Sequence, residues 1–247
     1  MKLKKYEIIY IEQEYIKHLH ETDEEVYYRD TKEYKYKPYI GLLTENDTMY
    51  AIPLTSAKPR HAHMDDISMQ GINVFKIVDT RKHPDKNRPI LIDLDPNDKY
   101  FENKPWIKDN EKQFYKKWIQ NALDTAKMIP LAEGTYHRAD FKITPKDSGV
   151  DKFRKNLLYN QYRFLQKKQN KIEQIASAIY QRQMDAGIIA HREPDLKKLE
   201  TVKDLWENYT KAKEKYTFSE YLNDTYDTKD ISEIIEMYND DTKEITK

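Results

Sequence analysis

Apolar residues recur along the chain in two rhythms, and the switches between them mark out its elements. Tyr6 to Ile11 mixes apolar and polar residues under high β propensity and predicts a first strand, followed by a short helix over Glu12 to Leu19. An acidic, tyrosine-rich loop runs to Lys35. Tyr39-Ile40-Gly41-Leu42-Leu43 and Met49 to Leu54 then flank Glu45-Asn46-Asp47, the pattern of a β-hairpin with a polar turn. Val74 to Val78 and Ile90 to Leu94 predict further strands on either side of a lysine-rich, proline-containing connection. From Asn97 to Lys127 the spacing of Phe114, Trp118, Ile119 and Leu123 predicts a helix. Met128-Ile129-Pro130-Leu131 reads as a short strand whose proline suits an edge. Asp151 to Ala186 carries the strongest helical pattern, with Phe153, Leu157, Leu165, Ile172, Ile175 and Ile179 near one face and Gly187 as a stop. Beyond Pro194, amphipathic helices are predicted around Leu196 to Lys215 and Ile231 to Tyr238, ending in an acidic tail. The expected class is α+β.

Charge sharpens this picture locally rather than globally. The 43 basic residues balance the 43 acidic ones, so the net field names no partner. Between Lys142 and Gln183, however, ten Lys or Arg face three Asp or Glu, whereas Thr217 to Lys247 has three against nine. The basic helix interleaves its charges with Phe153, Tyr159, Tyr162 and Phe164, a mixture that suits single-stranded nucleic acid. A solvated helix face is the plain alternative. The absence of cysteine excludes disulfides, thiolate metal sites and a cysteine nucleophile, and points to a reducing compartment. No signal-peptide pattern and no run of about 18 apolar residues is present, so a cytoplasmic protein is expected.

Chemistry has few places to reside. Five scattered glycines cannot build a phosphate loop, and no histidine pair has zinc spacing. His61, His63, Asp65 and Asp66 alternate in a loop without a second cluster, so no metal and no small-molecule cofactor is expected. Pro53-Leu54-Thr55-Ser56-Ala57-Lys58-Pro59-Arg60-His61 leaves a strand and presents two hydroxyls, two cations and an imidazole on a proline-braced turn. Such a loop can grip a phosphate, with hydroxyls and free N–H groups donating to non-bridging oxygens and Lys58 and Arg60 supplying charge. By itself it is also an ordinary polar surface turn.

Read with its neighbours, this loop resembles the central block of the ToxN/AbiQ family of ribonuclease toxins from type III toxin–antitoxin and phage abortive-infection systems. The similar blocks are Lys37 to Leu43 with Tyr50 to Lys58, Tyr15-Ile16-Lys17-His18-Leu19, Met128 to Leu131, and Leu157-Leu158-Tyr159-Asn160-Gln161-Tyr162-Arg163-Phe164. The resemblance implies a MazF/Kid-like twisted antiparallel sheet with packed helices, including one long basic helix, over residues 1–190, with a longer insertion at about 80–127. A helical, acidic C-terminal extension would occupy 191–247. It also implies metal-independent RNA cleavage and inhibition by a repeated RNA pseudoknot in a cyclic protein–RNA assembly, with cellular or phage mRNA as substrate and no membrane partner. By motif, Lys37, Thr55, Ser56 and Lys58 match active-site positions, and Tyr15 and Tyr159 match aromatic positions beside them. The expected RNA-contacting set is Tyr15, Arg60, His61, Arg154, Tyr159, Tyr162 and Arg163. Ala57 and Pro59-Arg60 depart from the family pattern.

In such a cleavage the 2′-hydroxyl attacks the adjacent phosphorus and expels the 5′-oxygen, leaving a 2′,3′-cyclic phosphate. The work divides into a base, donors to the phosphorane and an acid. Lys37 is expected in acid–base or phosphate work, Thr55 and Ser56 as donors, and Lys58 as a neutralising charge. His61 is open between a general acid and a residue orienting its own turn. Two rival readings remain: a non-catalytic RNA-binding protein using the basic aromatic helix, and a protein-interaction subunit.

Overall fold

The computed structural model describes residues 6–31, 33–43, 48–82, 90–212 and 217–244. In chain order the first elements are β1 (Ile8–Ile11), α1 (Gln13–Thr22), β2 (Tyr39–Leu43), β3 (Met49–Ser56), β4 (Ile72–Asp79) and β5 (Leu91–Asp93). There follow α2 (Asp109–Lys112), β6 (Tyr115–Leu123), β7 (Ile129–Pro130), β8 (Tyr136–Arg138), α3 (Gly149–Gln166) and α4 (Gln169–Ala186). The described chain closes with α5 (Leu196–Ala212), α6 (Phe218–Tyr226) and α7 (Ile231–Glu244). Every strand pairing among the described residues is antiparallel, in keeping with an α+β chain.

Two compact units share the sequence. One comprises Met1–Pro53, Ala126–Ala139 and Glu173–Lys247, the other Leu54–Thr125 and Asp140–Ile172.

In the first unit β1 lies between β8 and β2, and β2 pairs onward with the first part of β3 through Tyr39↔Pro53 to Leu43↔Met49. The hairpin is as the sequence predicts, although its turn at Glu45-Asn46-Asp47 lies outside the described residues. β7 pairs with β3 at Tyr50 and Ala51, so Pro130 sits on a two-residue strand where its missing N–H costs little. Helix α1 turns Tyr15, Ile16 and Leu19 inward against Leu199, Val202, Leu205 and Trp206 of α5, and Phe218, Leu222, Ile234 and Ile235 complete the core. Residues 191–247, expected as an appended segment, thus supply a large part of this core. Helix α6 is not among the helices that the sequence predicts. Thr217 caps it, accepting from Glu220 N–H at 3.3 Å while Glu220 accepts from Thr217 N–H at 2.7 Å.

In the second unit β6 is central. It pairs with β4 over its whole length, with β5 at Lys116–Trp118, and with Leu54, Thr55 and Ser56 of β3. The helix predicted over Asn97 to Lys127 is therefore a strand, with only the single turn α2 before it. The reason is a β-bulge: Val74 opposes Asn121 whereas Phe75 opposes Ile119, leaving Gln120 as the extra residue on β6. The bulge breaks the two-residue alternation between Trp118 and Leu123, so no regular strand period shows there in the sequence. Leu94, Phe101 and Ile107 form a small separate core with Ile77, Tyr100 and Tyr115.

The single long basic helix is also corrected. The run from 151 to 186 is two helices, α3 and α4, separated at Lys167-Lys168, where N–H groups reach back to Phe164 and Leu165 in three-residue turns. Gly187 does end α4, at φ +64° with its N–H on the Gln183 carbonyl.

Candidate active site

The second unit carries the loop that leaves β3. Thr55 opposes Ala122 and Ser56 opposes Asn121 on β6. Thr55 is half-buried and its Oγ1 donates to the Ala122 carbonyl at 3.3 Å, whereas Ser56, Lys58 and Arg60 are exposed. The turn Pro59–His63 is closed on itself: His61 N–H donates to the Lys58 carbonyl at 2.8 Å, and Lys58 N–H donates to His61 Nδ1 at 3.0 Å. Asn73 of β4, itself buried, donates through Nδ2 to the His61 carbonyl at 3.1 Å.

His61 is only 4% exposed, and its Nδ1 is taken up by the Lys58 N–H of its own turn. With Nδ1 accepting, the neutral ring carries its proton on Nε2. Burial, reinforced by the Arg60 and Lys58 charges, holds its pKa below the ordinary histidine value.

Beneath Ser56, a pair that the sequence reading did not single out joins strand to helix. Gln161 of α3, 1% exposed, donates through Nε2 to the side chain of Asn121, the cross-strand partner of Ser56. Gln161 lies within the Leu157–Phe164 block, but a glutamine among tyrosines gives no sequence signal of burial.

The outward side of α3 carries both basic and aromatic residues. Lys152, Phe153, Tyr159 and Arg163 are exposed on it. Tyr159 and the half-buried Tyr162 both pack at a tilt against Phe141, with ring centroids 6.0 and 5.6 Å away. Arg154 is half-buried and pairs with Asp151 at 3.5 Å. Among the described residues no group of three or more His, Asp or Glu is placed to hold a metal, and Asp66 is engaged by Lys117 Nζ at 2.7 Å.

In the first unit, Lys37 follows the turn Tyr34–Tyr36 and is half-buried. Its Nζ lies 3.8 Å from the Tyr27 ring centroid. Tyr15, expected to face RNA, is fully buried instead: its hydroxyl donates to the Pro130 carbonyl at 2.9 Å and its ring packs on Trp206. It shares the inward face of α1 with Ile16 and Leu19, and burial pushes its phenol well above the usual value.

Residues 7–204 match the family model for toxin ToxN of the type III toxin–antitoxin system. The chain belongs to the ToxN toxin family. No curated protein matches it. Solved structures similar to it include AbiQ, a lactococcal anti-phage endoribonuclease belonging to the type III toxin–antitoxin system, at 16% identity and TM-score 0.54, covering 83% of this chain and 99% of that one. A structure concerned with selective toxin inhibition by a non-coding RNA pseudoknot in bacterial type III systems shares 21% identity at TM-score 0.52, covering 83% and 99%. A third, concerned with a bacterial antiviral system regulated by a processed non-coding RNA, shares 18% identity at TM-score 0.54, covering 80% and 97%. At these identities the structural likeness concerns the fold. Membership of the ToxN family rests on the match over 7–204, which takes in the β3 loop, α3 and most of α5. No helix among the described residues is long and apolar enough to cross a membrane.

Proposed function

We propose that this ToxN-family chain is a cytoplasmic, metal-independent endoribonuclease toxin of an anti-phage system, inhibited by a repeated RNA pseudoknot in a cyclic protein–RNA assembly. The observation that carries the reading is the β3 exit loop: an exposed Ser56 followed by exposed Lys58 and Arg60 on a turn that His61 and Asn73 hold rigid. A fixed array of donors and cations stabilises charge developing on a phosphorane more effectively than a mobile one.

In the proposed reaction the O2′–P bond forms as the 2′ proton leaves to a base. The P–O5′ bond breaks, and the departing oxygen takes a proton. Ser56 donates to a non-bridging oxygen, Lys58 and Arg60 balance charge, and Lys37 serves acid–base or phosphate chemistry. Thr55, whose proton is directed at Ala122, donates to substrate only after its hydroxyl rotates. Support for RNA as partner comes from the α3 face, where Tyr159 offers a ring for stacking and Arg163 a charge for the backbone.

Ser56→Ala and Lys37→Ala are each expected to lower RNA cleavage by a factor of about a hundred or more and to abolish toxicity. Cleavage and toxicity at the wild-type level in both variants would overturn the assignment. The α3 face alone would also serve a non-catalytic RNA binder. That reading requires wild-type protein to shift RNA in a gel while leaving it intact.

A further inference from the structure

Lys37 stands inside a partial cage of aromatic rings. Its Nζ is 3.8 Å from the Tyr27 centroid, 5.5 Å from that of Tyr34 and 5.8 Å from that of Tyr39. All three lie within the range of about 6 Å over which a ring quadrupole attracts a cation. The inner walls are fixed by hydrogen bonds: the Tyr34 hydroxyl donates to the Tyr27 carbonyl, so the Tyr39 hydroxyl supplies the proton of the 3.1 Å bond between Tyr39 and Tyr34. Both inner rings are buried, and burial pushes their phenols up, so they remain neutral while Lys37 is charged. Tyr27 is the outer wall and is 43% exposed.

Other charges surround the cage. The Arg29 guanidinium lies 5.4 Å from the Tyr27 centroid and shares that ring. Glu33 precedes the turn and Lys35 lies within it, with Lys35 Nζ 4.9 Å from the Tyr36 ring. Tyr28 packs edge-on against Tyr34, and Tyr10 of β1 edge-on against Tyr36.

A ring face attracts an ammonium and gives no comparable stabilisation to a neutral amine, so a lysine held this way resists losing its proton. We infer that the cage holds Lys37 as an ammonium which enters the reaction as cation and proton donor, and that Tyr27 is the positioning residue acting through it. This rests on the reading that Lys37 belongs to the active site, and it narrows the acid–base role given above to the acid side. In the step it describes, O2′ bonds to phosphorus as the 2′ proton passes to hydroxide from the solvent. The P–O5′ bond breaks, its electron pair takes a proton from Lys37, and the resulting amine recovers a proton from water.

The test follows the Lys37 signal by carbon-detected NMR in full-length protein labelled at lysine Cε, the signal being assigned by its loss in Lys37→Arg. Tyr27→Leu is expected to lower the Lys37 titration midpoint by about half to one pH unit, and Tyr27→Phe, which keeps the ring, to restore it. The alkaline limb of the kcat/KM profile should move with the midpoint. An unmoved midpoint in Tyr27→Leu, or a shift confined to the acid limb, would overturn the inference. Wild-type cleavage by Lys37→Ala would instead remove Lys37 from the active site, while the titration still decided the cage.

Discussion

Ser56 and His61 are five residues apart, yet they meet opposite fates: one faces solvent, the other is packed under the turn it organises. His61→Ala removes the acceptor for the Lys58 N–H, and the expected cost is about 1 kcal/mol, read as a lowered Tm, with a larger proportional loss of cleavage because the loop slackens. Acid should act the same way. The folded His61 has a depressed pKa, so the unfolded chain binds its proton more readily. The stabilisation is complete above the ordinary value near 6.5 and is lost as pH falls through the lower folded value. Protonation also places a hydrogen on Nδ1 and breaks the bond to Lys58. Gly71 gives a second residue-scale test. A Cβ there would lie 2.5 Å from the Leu123 carbonyl oxygen, a backbone atom with little room to move. Gly71→Ala should cost about 1–3 kcal/mol in a denaturant melt, and an unchanged midpoint would contradict the close approach. From the sequence His61 stays open between a general acid and a residue orienting its own turn, because its place after Pro59 does not record its burial. The burial of Tyr15 was within reach, since Tyr15, Ile16 and Leu19 share one helical face, whereas the Gln161–Asn121 pair depends on tertiary packing that no local pattern records.

At the scale of elements, local propensity and spacing succeed where an element keeps one period throughout. The β2–β3 hairpin and α1 are of this kind. They fail at β6 because Gln120 bulges, and the failure supplies a prediction. Deleting Gln120 would make Ile119 and Asn121 neighbours and let Phe75↔Ile119 and Val74↔Asn121 continue as a regular ladder, because the bulged residue has no partner on β4. A retained cooperative melt is expected in the deletion variant; its loss would show that Gln120 is not the unpaired residue of the ladder. The separation of α3 from α4 has no sequence mark, because Lys167-Lys168 contains neither glycine nor proline and Leu165, Ile172 and Ile175 continue the buried stripe across it.

At the scale of the whole molecule, the acidic C-terminal composition suggests a solvated appendage, but net charge is carried by outward residues while Leu199, Val202, Leu205 and Trp206 are buried in the first unit. Truncation after Ala190 should therefore leave a chain without a cooperative transition. Trp206→Ala alone should cost about 3–5 kcal/mol. A stable, cooperatively folding 1–190 fragment would contradict this packing. RNA association should weaken steeply with salt if the basic residues on α3 bind phosphates, and neutralising any one of those cations should lower the log–log slope by about 0.7. The chemical ends of the cleaved RNA test the proposed function most directly. Incubating the purified full-length protein with unstructured RNA in EDTA and identifying the products by mass spectrometry should give 2′,3′-cyclic phosphate and 5′-hydroxyl ends, made about a hundredfold or more slowly by Ser56→Ala. Intact RNA, or products carrying 5′-phosphates, would contradict it.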